Sequence, residues 1–269
     1  MGLVGASRAI AAIHAMLRDM NPQHPRIANR SLALLVASAC GIAHGLEPVE
    51  AGQDAAPAPA ASPAIHNTKP SAIPSSNALP EPRYVEGERH PGGTGRYYFG
   101  REIAEFMSHH GAEWLERAER EREEAPSRLH EWLAVPHGAV VADVGAGTGY
   151  HSRRLAAAVG PMGRVLAVDL QPEMLERLRE RAQATGMHNI EPILGSATDP
   201  GLKDGCCELI LLVDVYHELA QPHEVTRRLV EALKPGGRLV IVEYRGEDAS
   251  LPIHALHTMT EAQLQLEMA

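Results

Sequence analysis

The stretch VVADVGAGTGYHSRRLA, Val140 to Ala156, constrains the fold of this chain more than any other. Gly145, Gly147 and Gly149 alternate between an apolar run and a run with helical spacing. Glycine enters positive φ without the penalty a Cβ brings, so the cluster marks a tight turn from a strand into a helix. It also leaves main chain bare where the first N–H groups of a helix are unpaired and favour an anion.

The surroundings repeat the pattern. Apolar runs at 139–144, 164–169, 189–194, 208–214 and 238–243 read as strands, and helical patterns at 150–159, 172–185 and 222–233 alternate with them. The interval from 194 to 208 reads as a loop. Strand–helix alternation predicts an α/β fold, a doubly wound parallel sheet covered on both faces. The glycines then sit in the first βα turn, on the carboxyl edge where open sheets bind ligands.

Other segments are placed around this unit. Arg26 and Arg30 precede an apolar run from Leu32 to Ala43 that contains Ala37-Ser38-Ala39, the layout of a secretory signal. Residues 1–47 are therefore expected to be a leader with its signal-like part at 20–45. Residues 48–82, rich in Pro, Ala and Ser, are expected to be a disordered linker. The folded domain is expected over 83–269. Its first part, Ile103 to Leu115, keeps helical spacing; ERAEREREE reads as a solvated helix face; Ser127 reads as the cap of a short helix.

Composition removes several classes of function. A net charge of −9 argues against nucleic-acid binding, which needs clustered Lys and Arg. Three cysteines give no disulfide framework, and Cys206-Cys207 read as semi-buried apolar residues. Among the 15 histidines, His109-His110 point to different faces of a helix, and His254 and His257 lack an obvious third ligand, so no metal is expected.

Asp169 ends the second strand, 24 residues after Gly145. A carboxylate there accepts hydrogen bonds from ribose hydroxyls; the bland alternative is a cap for the helix that follows. The glycine spacing is one residue shorter than the dinucleotide fingerprint, which speaks against a nicotinamide-dependent oxidoreductase.

VADVGAGTGY, VLAVDLQPEMLERLRERA, LLVDVYHEL and ALKPGGRLVIVEYR, in this order, resemble class I S-adenosylmethionine-dependent methyltransferases, nearest to a bacterial small-molecule-type group. The resemblance covers the chain from about Tyr97 onward. It implies a Rossmann-like sheet of order 3-2-1-4-5, with S-adenosyl-L-methionine as cofactor and a small-molecule methyl acceptor.

The resemblance also implies a site. Gly145, Ala146, Gly147, Thr148 and Gly149 would follow the methionine part of the cofactor, with Asp143 orienting the loop or the amino group. Asp169 would hold the ribose with Leu170 beside it, and Ser196 and Ala197 would meet the adenine. Asp199 either reaches the exocyclic amine or makes an ordinary turn. Asp214, Tyr216 and His217 follow the fourth strand and would face the transferring methyl group. Asp214 would line the pocket, His217 would serve as base or brace its loop, and Tyr216 would pack on the cofactor. Apart from the resemblance, the run RYYFGREIA reads either as a lid over the cofactor made by Tyr97, Tyr98 and Arg101 or as an anchor, Tyr98 and Phe99, that ties the following helix to the core.

The resembled fold closes with a C-terminal hairpin, and nothing after 243 reads as one. The strand at 238–243 is therefore expected to leave an unpaired edge, open to a second subunit. This departure leaves open a non-catalytic cofactor-binding protein. The cofactor points to a cytoplasmic site with the leader as a membrane tether, and the signal-like segment to export.

Overall fold

The computed structural model describes residues 84–269 and, for backbone alone, 32–38. The rest of the expected leader and almost all of the expected linker lie outside the described residues. Strands β5 (Val140–Val144), β6 (Arg164–Asp169), β7 (Ile190–Leu194), β8 (Cys207–Val213) and β9 (Leu233–Tyr244) run parallel, side by side in the order β9-β8-β5-β6-β7. Helices α3 (Tyr150–Val159), α4 (Pro172–Ala184) and α5 (Pro222–Ala232) connect them.

The outer edge of β9 is not bare. Strand β1 (Leu32–Ser38) pairs with it antiparallel, from Leu32 opposite Tyr244 to Ser38 opposite Arg238. This corrects the expectation of an unpaired edge and removes that edge as a reason to expect a homodimer. Seven residues of the expected leader are thereby a strand of the sheet.

Alternation along the central strands builds two cores. Ala142, Val144, Ile210, Leu212 and Ile241 face one side; Val141, Leu209, Leu211, Val213 and Val240 face the other. Successive side chains of a strand point to opposite faces, so a strand apolar at every position must be covered twice. Helix α4 supplies Met174, Leu175, Leu178 and Ala182, and α5 supplies Val225, Leu229 and Ala232. Both start with proline in the first turn, where its missing N–H costs nothing.

The region before β5 departs from its sequence pattern. The expected helix over Ile103–Leu115 is instead strand β4 (Arg101–Ala104) followed by a 3₁₀ turn at His109–Glu116. Strand β4 closes a small antiparallel sheet with β2 (Tyr84–Glu86) and β3 (Gly93–Tyr98). Two short helices follow, α1 (Arg120–Glu124) and α2 (Pro126–Leu133). Arg120 is buried, not solvated: Nε donates to Glu124 Oε2 at 2.6 Å and Nη1 to the Leu115 carbonyl at 2.9 Å. Ser127 lies inside α2, which starts from left-handed Ala125 without a side-chain cap. Helix α6 (Glu261–Met268) is capped by Thr260, whose hydroxyl accepts from the Gln263 N–H at 3.1 Å.

Candidate active site

A cavity of about 570 Å³ opens at the carboxyl ends of β5, β6 and β8. That volume suits a cofactor-sized ligand. Gly145, Ala146 and Gly147 form part of its wall.

All three glycines of the turn have positive φ, +73°, +51° and +81° in chain order. A Cβ would drive Gly145 into Val215, place Gly147 2.7 Å from Leu115 Cδ1, and place Gly149 2.7 Å from Leu178 Cγ. The chain's own side chains therefore press on the turn from three elements. Gly149 faces α4 and is not part of the cavity wall. Thr148 also lies outside that wall: it is fully buried, and its hydroxyl donates to Glu116 Oε1 at 2.6 Å.

The turn is stapled to the end of β6. The N–H groups of Gly145 and Ala146 both donate to the Val168 carbonyl at 2.9 Å. Gly147 N–H donates to Asp169 Oδ2 at 2.8 Å, and Gln171 N–H to Asp169 Oδ1 at 2.9 Å. Asp169 thus shapes the loop and still lines the cavity. Burial raises its pKa despite these bonds. The Gln171 side chain reaches the other way, accepting from His109 N–H at 2.8 Å and donating to the Met107 carbonyl at 2.9 Å.

Asp143, Leu170, Ser196 and Ala197 line the cavity as expected. Asp143 accepts the Ser152 hydroxyl at 2.5 Å, and burial lifts its carboxyl to about 6. Ser196 and Asp199 close a turn: the Asp199 N–H donates to Ser196 Oγ at 3.0 Å, and Gly201 N–H to Asp199 Oδ1 at 2.8 Å. Asp199 stands outside the cavity wall, so its role is the turn.

Asp214 and His217 line the far wall. Asp214 is held at φ +58°, left-handed for a residue with a Cβ, which costs on the order of 1 kcal/mol. Its Oδ1 is buried with no hydrogen-bond partner, and burial raises the carboxyl to about 7. Tyr216 turns the other way. It is buried, lies outside the cavity wall, and sits under the Arg101 guanidinium with Glu267 near its hydroxyl.

His217 is clamped at both nitrogens: Nδ1 lies 2.7 Å from Glu243 Oε2, and Nε2 lies 2.9 Å from His257 Nδ1. Glu243 also accepts the N–H groups of Val215, Tyr216 and His217, at 3.2, 2.6 and 3.4 Å. Burial alone would pull this imidazole down; the Glu243 carboxylate overrides it and holds His217 at about 9. Sequence reasoning missed Glu243, although a lone acid in the apolar run LVIVEY was the signal. It also missed Glu218, beside His217 on the cavity wall, which burial lifts to about 8. His257 was set aside for want of partners, which the fold supplies.

The expected lid is elsewhere. Tyr98 stacks on Tyr84 at 5.1 Å, and Arg101 donates to both carboxylate oxygens of Glu267 and to the His217 carbonyl. Tyr97, Tyr98 and Arg101 are absent from the cavity wall. Phe106, Met107 and Trp114 flank it on one side and Pro252 to His254 on another.

A family model described as a methyltransferase domain matches residues 141–237, the span from the glycine turn through the start of β9. Among solved structures, a SAM dependent methyltransferase from Aquifex aeolicus superposes with a TM-score of 0.57 at 24% identity, over 61% of this chain and 87% of that one. Residues 141–237 match a methyltransferase domain, and the chain shares the fold of that structure.

Curated relatives are similar over about two fifths of the chain. A protein-L-isoaspartate O-methyltransferase 2 of Archaeoglobus fulgidus is 34% identical over 41% of this chain and 48% of its own length. A protein-L-isoaspartate O-methyltransferase of Aeropyrum pernix is 37% identical over 42% of each chain. A demethylmenaquinone methyltransferase of Listeria welshimeri is 30% identical over 41% of this chain and 47% of its own. The chain spans about half the length of the curated relatives it matches. S-adenosylmethionine is the cofactor that a methyltransferase domain of this kind implies.

Proposed function

We propose that the chain transfers a methyl group from S-adenosylmethionine to a small-molecule acceptor held in the cavity. Asp214 carries the reading. A strained residue with a buried carboxylate oxygen that accepts no hydrogen bond, its nearest cation being His217 Nδ1 at 3.9 Å, persists only where surrounding structure imposes it, and such residues cluster at functional sites. Asp143, Asp169 and Glu218 share its cavity. Four acids pressed upward by burial fit a cationic ligand, which relieves the cost of their charged forms.

When bound, S-adenosylmethionine supplies a methyl group on a positively charged sulfonium. The backbone of Gly145 to Gly147 and the Asp143 carboxyl would hold the methionine end. Asp169 would accept the ribose hydroxyls, and Ser196 and Ala197 would border the base. Asp214 stands near 7 and is suited to take a proton from an acceptor as it is methylated. His217 is less suited, since both ring nitrogens are engaged. The walls position the acceptor, the main contribution a protein makes to a displacement reaction.

A cavity of about 570 Å³ that must also hold the cofactor supports a small acceptor. The net charge of −9 supports no nucleic-acid partner. The cofactor is made inside cells, which supports a cytoplasmic working site; membrane association through the N-terminal segment is part of this proposal, and export is its rival. Among the described residues no helix is long and apolar enough to cross a membrane.

Calorimetry with S-adenosylhomocysteine and NAD tests the cofactor. Binding of the former alone is expected, and binding of NAD alone would overturn the proposal. Labelled S-adenosylmethionine with a metabolite pool then tests transfer. Turnover that survives in full in Asp214→Asn would remove Asp214 from the reaction, and binding without any transfer would leave a cofactor-binding protein.

A further inference from the structure

We propose that His217, Glu218 and His257 form a three-ligand site for a divalent transition-metal cation on the cavity wall. One ligand atom from each lies within 4.8 Å of the other two. All three residues line the same cavity, so coordination positions remain open on that side. His217 and Glu218 come from the turn after β8, and His257 from the 3₁₀ turn at Ala255–His257, 40 residues on.

Three details favour metal ligation over a histidine pair that simply stacks. First, His217 Nε2 and His257 Nδ1 are 2.9 Å apart, and their rings meet at 81°. Two nitrogens each about 2.1 Å from one ion stand about 3.0 Å apart at an octahedral angle and about 3.4 Å apart at a tetrahedral one, so an ion would replace the hydrogen bond between these rings with little movement of either. Second, Glu243 fixes the tautomer. Its carboxylate is an acceptor for three backbone N–H groups, so Nδ1 of His217 donates to it. Nε2 is then the nitrogen turned to the cavity. A carboxylate behind a ligating histidine is the usual outer partner of a metal-bound imidazole. Third, the ligands are braced. Arg101 donates to the His217 carbonyl at 2.9 Å, and Met107 N–H donates to Glu218 Oε2 at 3.2 Å. Such bracing holds the set in place before an ion arrives.

The alternative set of Asp214, His217 and Glu243 is also within reach geometrically. It would cost the Glu243 carboxylate its bonds to His217 Nδ1 and to three backbone N–H groups, whereas an ion in the first set displaces only the His217–His257 hydrogen bond. Two imidazoles and one carboxylate select zinc, iron or cobalt over magnesium or calcium, which prefer all-oxygen shells.

The site stands independently of methyl transfer, and its test is spectroscopic. The full chain, stripped with chelator, is titrated with cobalt(II) and then zinc(II). Wild type is expected to give visible cobalt bands that zinc displaces at one equivalent. His257→Ala and Glu218→Gln should lose these bands or weaken zinc binding at least about 10-fold, and Glu243→Gln should weaken it on the order of 10–100-fold. Thermal unfolding and S-adenosylhomocysteine calorimetry on each variant confirm the fold and the cofactor site separately. No cobalt spectrum in wild type, or equal zinc affinity in wild type and folded His257→Ala, would overturn the metal site. The latter result would place the ion on other histidines. Failure of S-adenosylhomocysteine to bind wild type would count against the methyltransferase proposal and leave the metal result unaffected.

Discussion

Glu243 Oε2 and His217 Nδ1 lie 2.7 Å apart, and neither side chain reaches solvent. The pair ties the last parallel strand to the turn after β8. Breaking a buried pair from one side strands the other group, at roughly 3–5 kcal/mol. Glu243→Gln is expected to lower unfolding free energy on that scale, read by urea denaturation in chelator. The pH dependence has a defined sign. The folded imidazole sits near 9, above its ordinary 6.5. Its contribution is therefore complete below pH 6.5 and is lost as pH rises through 9. The gap between wild type and variant should narrow over that window. A gap that is constant with pH would show that His217 is not charged in the fold.

Asp143 behaves in the opposite sense. Its folded carboxyl sits near 6, above the ordinary 3.8. The folded protein holds that proton more tightly than the unfolded chain, so stability from this group is greatest below about 4 and declines as pH rises through 6. The burden at neutral pH reaches roughly 3 kcal/mol. Asp143→Asn keeps an acceptor for Ser152 and removes the charge. Its stability relative to wild type should improve from pH 4 to 7, measured by urea unfolding without cofactor. An unchanged difference across that range would refute the burial argument.

Glycines at positive φ are not equivalent. Gly149→Ala meets both the φ of +81° and Leu178, while Gly100→Ala has φ +84° and open space. The first should cost about 2–4 kcal/mol, combining backbone strain with overpacking, and the second only about 1 kcal/mol. Thermal unfolding of both variants compares them. Equal losses would mean that Leu178 yields without cost.

Asp169→Ala should weaken S-adenosylhomocysteine binding by about 1.5–3 kcal/mol through lost charged hydrogen bonds. It should also loosen the glycine turn, since Gly147 N–H loses its acceptor. Tyr216→Phe should leave that affinity unchanged, because Tyr216 faces away from the cavity. Calorimetry on the pair reads both, and weakened binding in Tyr216→Phe would put its ring back in the site.

What the sequence disclosed was local in character. Strand runs, the glycine turn and the strand-end acids at 169 and 214 follow from period and neighbours along the chain. What it hid depends on distant partners. His217 finds His257 across 40 residues, and Gln171 finds His109 across 62. Tyr216 and His217, neighbours in a single 3₁₀ turn, point different ways, which adjacency in the sequence does not reveal. Arg120 was misread because its charged stretch gives no sign of Glu124 and the Leu115 carbonyl closing around one guanidinium. The expected helix at Ile103–Leu115 failed because apolar residues of a strand and a turn fell on a helical period by coincidence of spacing.

The pairing of Leu32 with Tyr244 joins nearly the first and last described parts of the chain. During synthesis, β1 emerges long before β9 exists, and the loop between them must close before the pair is rewarded. The six-stranded sheet is therefore completed late, and until then an apolar strand is exposed to whatever meets the nascent chain. A chain released before β1 has docked would leave β9 with an open edge.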